Sequence, residues 1–219
     1  GFWAPYAVSL RIIALCRYGG WRGSLNDVEA RFLYKHLVFL SNNVEWDVGG
    51  NHLIENGAAL VFGGVAFDES EDNRFVNQGL EILKIATKEQ FLNCGYHYER
   101  SPMYHLAVTE RVLSSYWVLK ASSRTPPRWL ADIASKAYRF IECLRPPDGK
   151  IPLLNDAVFN EAHELDTVCR YGEEVETGPS LPTTNEISDL VWFDSGELTL
   201  LIDAGDSGPS TQLGHTHND

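Results

Sequence analysis

YGEEVETGPSLPTTN, residues 171–185, separates two kinds of sequence. The stretch is polar and rich in Gly, Pro and Thr, the composition of a linker. Before it, apolar residues recur at helical spacing. After it they form two short runs, 187–193 and 197–203, the second reading ELTLLID, with Ser195-Gly196 between them as a hairpin turn. This change of period predicts a helical region over 1–170, a linker over 171–185 and the start of a β domain over 186–219.

Working back from the linker, residues 5–18 carry Val8, Ile12 and Leu15 on one helical face. Residues 26–41 repeat the pattern with Val28, Phe32, Leu33, Leu37 and Leu40. Similar segments follow at 51–66, 73–91, 103–121 and 127–145, with Pro126, Pro127, Pro146 and Pro147 as punctuation. Long helices joined by short loops predict stacked helical hairpins, in a bundle or an α/α toroid, and no sheet within 5–145. Working forward, two strands cannot bury a core by themselves. The tail therefore reads as the first strands of a larger β domain that needs more residues than follow. A small flap packed on the helices is the alternative. On the first reading, Leu190, Val191, Leu198, Leu200 and Leu201 present a poorly covered apolar face.

Composition sets outer limits. Hydrophobic residues make up 44% and charged residues 22%, as in ordinary globular domains. A net charge of -12 argues against a nucleic-acid partner, because nothing offsets phosphate repulsion. It leaves an anionic substrate open, since a local cleft can be basic on an acidic protein. Aromatics stand at 11%, with six Trp, which suits a sugar-binding cleft as well as packing. No apolar run approaches the roughly 18 residues of a membrane span. Cys16, Cys94, Cys143 and Cys169 form no C-x-x-C pair. Three of the four lie in apolar segments and are expected to be buried free thiols.

Three blocks carry residues suited to chemistry. The first is Asn51-His-Leu-Ile-Glu-Asn56, which opens a helix after Gly49-Gly50. Asn51 and His52 can both face a cleft there, although an N-cap is the ordinary role of such an Asn. The second is Tyr98-Glu-Arg-Ser-Pro-Met-Tyr-His105. Pro102 marks entry to a helix, and Tyr104 and His105 fall in its first turn, where the positive helix end favours a phenolate. A Tyr-His pair is also common in cores. The third is Gly214-His-Thr-His-Asn-Asp219, where His215 and His217 lie on one face of any regular strand and Asp219 adds an oxygen. A solvated loop fits it equally well.

Together with WAPYAVSLRI at 3–12, ERSPMYH at 99–105, DGKIPLLNDA at 148–157 and LIDAGDSGPSTQLGHTHND at 201–219, the NHLIENG block at 51–57 resembles the heparinase II/III-like polysaccharide lyases. The blocks occur in that family's order and span nearly the whole chain. The resemblance implies an α/α toroid followed by a β-sandwich, with this chain holding the later part of the toroid and the first strands of the sandwich. It implies β-elimination on an anionic uronic-acid polysaccharide, in the periplasm or outside the cell. By position it makes Asn51 and His52 the groups that neutralise the uronate carboxylate, Tyr104 a base or acid, and His215 a second catalytic histidine. His217 falls to a structural zinc ligand whose partners lie elsewhere. Glu99, Arg100 and Asp156 match as structural or substrate-positioning residues. One departure stands out: the family often has two asparagines before the histidine, and Gly50 occupies the first of those positions here.

Two other readings compete. An α/α-toroid glycoside hydrolase needs two carboxylates flanking the bond; Glu55, Glu99 and Asp156 are candidates, but no spacing selects a pair. A non-catalytic polysaccharide-binding homologue would keep the fold, and loss of His52 or Tyr104 would have favoured it. Both residues are present.

Overall fold

Apolar periodicity organises the chain into seven α-helices and one β-hairpin in a computed structural model that describes residues 1–67, 73–175, 189–205 and 208. The helices are α1 (Pro5–Arg22), α2 (Asp27–Asn42), α3 (Gly50–Phe67), α4 (Arg74–Gln90), α5 (Pro102–Ala121), α6 (Arg128–Phe140) and α7 (Leu165–Val175). A single 3₁₀ turn, Ile141–Leu144, extends α6. The strands β1 (Leu190–Asp194) and β2 (Thr199–Asp203) pair antiparallel, Trp192 opposite Leu201. The chain is thus mainly helical, and among the described residues no sheet lies within 5–145 apart from the isolated Phe91–His97 bridge.

Local chemistry sets the helix ends. Pro5 starts α1 where its missing N–H costs nothing, and Gly23 ends it in the left-handed region at φ 95°. Asn26 caps α2: its Oδ1 accepts from the backbone N–H of Val28 and Glu29, while Glu29 accepts from the backbone N–H of Asn26. None of the described helices is long and apolar enough to cross a membrane.

The chain forms two compact units, residues 1–88 with 114–130, and residues 89–113 with 131–219. In the first, α3 is the central element. From Leu53 to Gly64 it is buried on every side, as expected of a helix that is apolar all round. It packs on α1 and α2 through Ile12, Leu33, Leu37, Leu40, Ile54 and Leu60, all fully buried. Against α4 the backbones nearly touch, since a Cβ on Gly79 would lie 2.6 Å from the carbonyl oxygen of Gly57. Only glycine permits that approach.

The second unit is built around Tyr96, Phe140, Leu144 and Leu190. The Tyr96 and Phe140 rings stack at 4.4 Å, an arrangement worth about 0.5–1.5 kcal/mol beyond the area it buries. The hairpin joins this core by one face. Leu190 and Leu201 pack on the cluster, and the Trp192 indole N–H donates to the Cys143 carbonyl at 2.9 Å. The opposite face, Val191 and Ile202 beside Phe193 and Leu200, is exposed, as is Leu198.

Three expectations need correction. Leu190 and Leu201 are covered, so the poorly covered face runs through the alternate positions, as period two requires. Helix α7 was not expected at all, and it takes up residues 171–175 of the stretch read as a linker. All four cysteines are free, but only Cys169 is buried; Cys16 and Cys94 are half-buried and Cys143 is exposed.

Candidate functional site

The start of α3 concentrates the polar groups of the first unit. Gly49 and Gly50 both have positive φ, 67° and 53°, a double left-handed step that turns the chain sharply into the helix. The Gly49 N–H reaches back to the Glu45 carbonyl at 3.0 Å, closing the loop before the helix. Gly50 therefore sits in backbone geometry that, among other residues, Asn tolerates best. That is a physical reason for Gly and Asn to exchange there.

Asn51 lies inside α3, one residue past its start, so it is not the N-cap. It is half-exposed, and among the described residues its amide has no hydrogen-bond partner. His52 is clamped. The Tyr6 ring, from the first turn of α1, stacks on the imidazole at 4.4 Å with 30° between planes. Nδ1 is buried and faces the Glu45 carboxylate, with Oε1 at 3.3 Å. This is within ion-pair distance, although the angle falls short of a hydrogen bond. The side chain as a whole is 35% exposed, so its accessible part lies away from Nδ1.

Glu45 is itself held. Asn56, fully buried, donates from Nδ2 to Glu45 Oε2 at 3.1 Å and to Ser9 Oγ at 3.1 Å. Its Oδ1 accepts the Glu45 backbone N–H at 2.9 Å. A backbone N–H can only donate, so the orientation of the Asn56 amide is unambiguous. Ser9 passes the chain on to the Pro5 carbonyl. The result is a continuous polar network from α1 through α3 to the loop ahead of it, ending on His52. Sequence reading missed Glu45, Tyr6 and Asn56 as members. Tyr6 and Asn56 lie in quoted blocks, but nothing in its neighbours marks Glu45.

The second unit holds the ERSPMYH block at the start of α5. Tyr104 is half-buried in the first turn, its backbone N–H 3.5 Å from Ser101 Oγ. His105 belongs to the core: it is fully buried, Nε2 bonds the Ala137 carbonyl at 3.0 Å, and Nδ1 takes the His97 backbone N–H at 3.3 Å. Burial drives its pKa down to about 3, only partly countered by the carbonyl contact. His97 is depressed in the same way, by burial first and by His105 second. Glu99 is buried. Arg100 is nearly buried and pairs with Asp189 at 2.8 Å and Asp203 at 3.2 Å, at the base of the hairpin. A Cβ on Gly205 would run into that guanidinium. Asn155 donates to the Arg100 carbonyl at 2.9 Å, which brings the block at 148–157 to the same place. One oxygen of the neighbouring Asp156 carboxylate is buried.

Asn51 and His52 thus stand together in the first unit, and Tyr104, Glu99, Arg100 and Asp156 in the second. His215 and His217 lie outside the described residues, as does Asp219. Among the described residues no group of three or more His, Cys, Asp or Glu side chains is placed to hold a metal ion.

Comparison with known proteins bears on both units. The family model described as Heparinase II/III N-terminus matches residues 28–176. A heparin-sulfate lyase of Pedobacter heparinus is 27% identical over 112 residues, 49% of this chain and 17% of its own length. A heparin-sulfate lyase of Bacteroides thetaiotaomicron is 25% identical over 183 residues, 79% of this chain and 24% of its own. Among solved structures, heparinase III matches with TM-score 0.64 at 20% identity, over 79% of this chain and 28% of that one. The heparan sulfate lyase HepC of Pedobacter heparinus matches with TM-score 0.62 at 20% identity, over 99% and 38%. The chain therefore spans less than two fifths of each of these proteins, and the structural likeness speaks to fold.

Proposed function

The chain belongs to the heparinase II/III family, and from that premise we propose that it carries part of the active site of a polysaccharide lyase acting by β-elimination on a uronic-acid polysaccharide. Elimination removes the proton at C5 of the uronate and expels the oxygen at C4. That proton is barely acidic while the adjacent carboxylate is charged, so the carboxylate must first be met by aimed donors. Asn51 and His52 are those donors. Among the described residues the amide of Asn51 is unspent, and both side chains stand in the first turn of α3, whose N-terminus adds positive potential. Tyr104 exchanges the proton at C5 or at the leaving oxygen, and His215 serves as base where substrate stereochemistry presents the proton on the other face.

The observation that carries this reading is the state of the α3 start. A histidine is held from one side by Tyr6 and Glu45 and open on the other, beside an asparagine whose amide has no hydrogen-bond partner among the described residues. A non-catalytic role in packing would not need the double left-handed turn that presents the pair. Of the carboxylates the hydrolase reading requires, Glu55 and Glu99 are buried, which removes them as groups meeting a sugar from solvent. The toroid and sandwich belong to the proposal, as do periplasmic or secreted location and a structural zinc on His217. His217 lies outside the described residues, and among those described no zinc ligand set is present.

The lyase relatives make heparan sulfate and heparin the first substrates to try, with alginate and other uronates beside them. Elimination leaves an unsaturated uronate that absorbs in the ultraviolet. The complete protein is expected to raise that absorbance on at least one member of the panel. Chain cleavage without the chromophore would move the assignment to a hydrolase.

A further inference from the structure

We propose that Glu45 is a positioning residue, which holds the proton of His52 on Nδ1 and so presents Nε2 outward as the working atom; this rests on the lyase reading given above. The argument starts from burial. Nδ1 of His52 is sealed from solvent, and the Glu45 carboxylate faces it with Oε1 at 3.3 Å. A carboxylate can only accept, so the ring atom facing it carries the hydrogen in both charge states of the imidazole. The remaining nitrogen, Nε2, then gains or loses the exchangeable proton. When Nε2 is protonated the ring is a cation whose outward N–H can meet a substrate carboxylate. Which nitrogen of a histidine works is set by the partner its other nitrogen faces, here a carboxylate at ion-pair distance.

The position of Glu45 is over-determined. Its second oxygen accepts from Asn56, its backbone N–H is taken by the same Asn56, and its carbonyl closes the turn to Gly49. A surface carboxylate meeting a histidine by chance would have none of these restraints. The Tyr6 ring covers one face of the imidazole and limits rotation about its long bond. Glu45 therefore plays toward His52 the part that an orienting acid plays toward a general base, acting through the histidine and not on the substrate.

The test combines ¹⁵N-histidine NMR and kinetics in the complete protein, on wild type, Glu45→Ala and Glu45→Gln. The expected wild-type spectrum has the neutral His52 ring protonated at Nδ1. In E45A the proton moves to Nε2, and kcat for elimination of heparan sulfate falls by about 10–100-fold with KM within about 3-fold, the scale on which orienting partners act. In E45Q the side-chain carbonyl still accepts, so the Nδ1–H tautomer returns and part of kcat is recovered. Wild-type tautomer and kcat in E45A would overturn the proposal. Should E45A not fold, E45Q decides alone: an Nε2–H ring with full kcat sinks it. If wild type eliminates no uronate but its tautomer follows Glu45, the lyase reading fails while the positioning role stands. If wild type eliminates uronate and its tautomer ignores Glu45, the reverse holds.

Discussion

Two histidines, each in the first turns of a long helix and each in a motif with polar neighbours, meet opposite fates. His52 at the start of α3 has one nitrogen buried against Glu45 and the rest of its ring within reach of solvent. His105 at the start of α5 is wholly enclosed, and both of its nitrogens are occupied by backbone partners. Position at a helix start does not separate them. The difference is what precedes each helix. Gly49 and Gly50 make the left-handed entry to α3, whereas the loop into α5, left-handed at Arg100, sets the Tyr96 ring and the His97 backbone N–H against His105. A histidine becomes available for chemistry when the fold leaves one edge unsatisfied.

The sharpest way to break this contrast is to remove the open member. His52→Ala in the complete protein is expected to lower kcat/KM for uronate elimination by about 10²–10⁴-fold, the range for a positioned donor or proton-transfer group, with little change in the unfolding midpoint. Tyr104→Phe should fall in the same range. Absorbance of the unsaturated product reads both. Activity within a few fold of wild type in either variant would remove that residue from the mechanism.

His105 gives the mirror image. His105→Ala should destabilise the protein by about 2–4 kcal/mol in urea, because it opens a cavity and orphans the Ala137 carbonyl and the His97 N–H. The pH dependence has a definite sign. Folded His105 accepts a proton only near pH 3, while the unfolded chain accepts one near 6.5. The stability it contributes is complete above about 6.5 and is lost as pH falls toward 3, with a slope near 1.4 kcal/mol per pH unit for one proton. His97 acts in the same direction. Urea unfolding at pH 7.5 and 5.5 should therefore show lower stability at 5.5, and a flat profile would mean that these rings are less enclosed than described.

Much of this was legible in the sequence, and the exceptions have physical causes. Six helices followed from apolar spacing, because α1, α2 and α4 to α6 each bury a stripe of ordinary hydrophobic residues and α3 is apolar all round. Helix α7 escaped because its buried stripe, Leu165, Val168, Cys169, Gly172 and Val175, runs through a glycine. Gly172 carries no apolar signal, yet a Cβ there would strike the Tyr138 ring, so its packing is as demanding as that of a leucine. The hairpin was visible from its alternation and from Ser195-Gly196, but alternation does not say which face is inside. Asn51 and His52 were found as a motif. Glu45 was not, because a lone glutamate acquires meaning only when a turn brings it back to the helix it precedes.

A smaller effect sharpens the contrast between the units from the hairpin side. Arg100 lies in the ERSPMYH block, but its guanidinium is engaged by Asp189 and Asp203. Arg100→Ala should loosen β1 and β2 by about 1–3 kcal/mol, a range set by one half-exposed partner and one that is nearly buried. Hydrogen exchange of the amides of residues 190–194 and 199–203 reads this directly. Faster exchange there makes Arg100 a brace for the hairpin. Unchanged exchange with a raised KM for polysaccharide would instead return it to substrate binding.

The smallest effect isolates one residue type in two helix starts. Asn26 and Asn51 both sit at the entry to a helix of the first unit. Asn26 spends its side chain on the backbone N–H groups of Val28 and Glu29, completing a reciprocal cap with Glu29. Asn51 comes one position after its helix begins, too late to cap, and among the described residues its amide is unengaged. Asn26→Ala should therefore cost about 1 kcal/mol of stability and leave elimination kinetics unchanged, since it only frays α2. Asn51→Ala should do the opposite, with an unfolding midpoint close to wild type and a clear fall in kcat/KM. Ala also propagates a helix better than Asn, so N51A should if anything gain a few tenths of a kcal/mol. A loss of stability in N51A comparable to that in N26A would show that Asn51 is a structural residue after all, and the carboxylate-binding role would then rest on His52 alone.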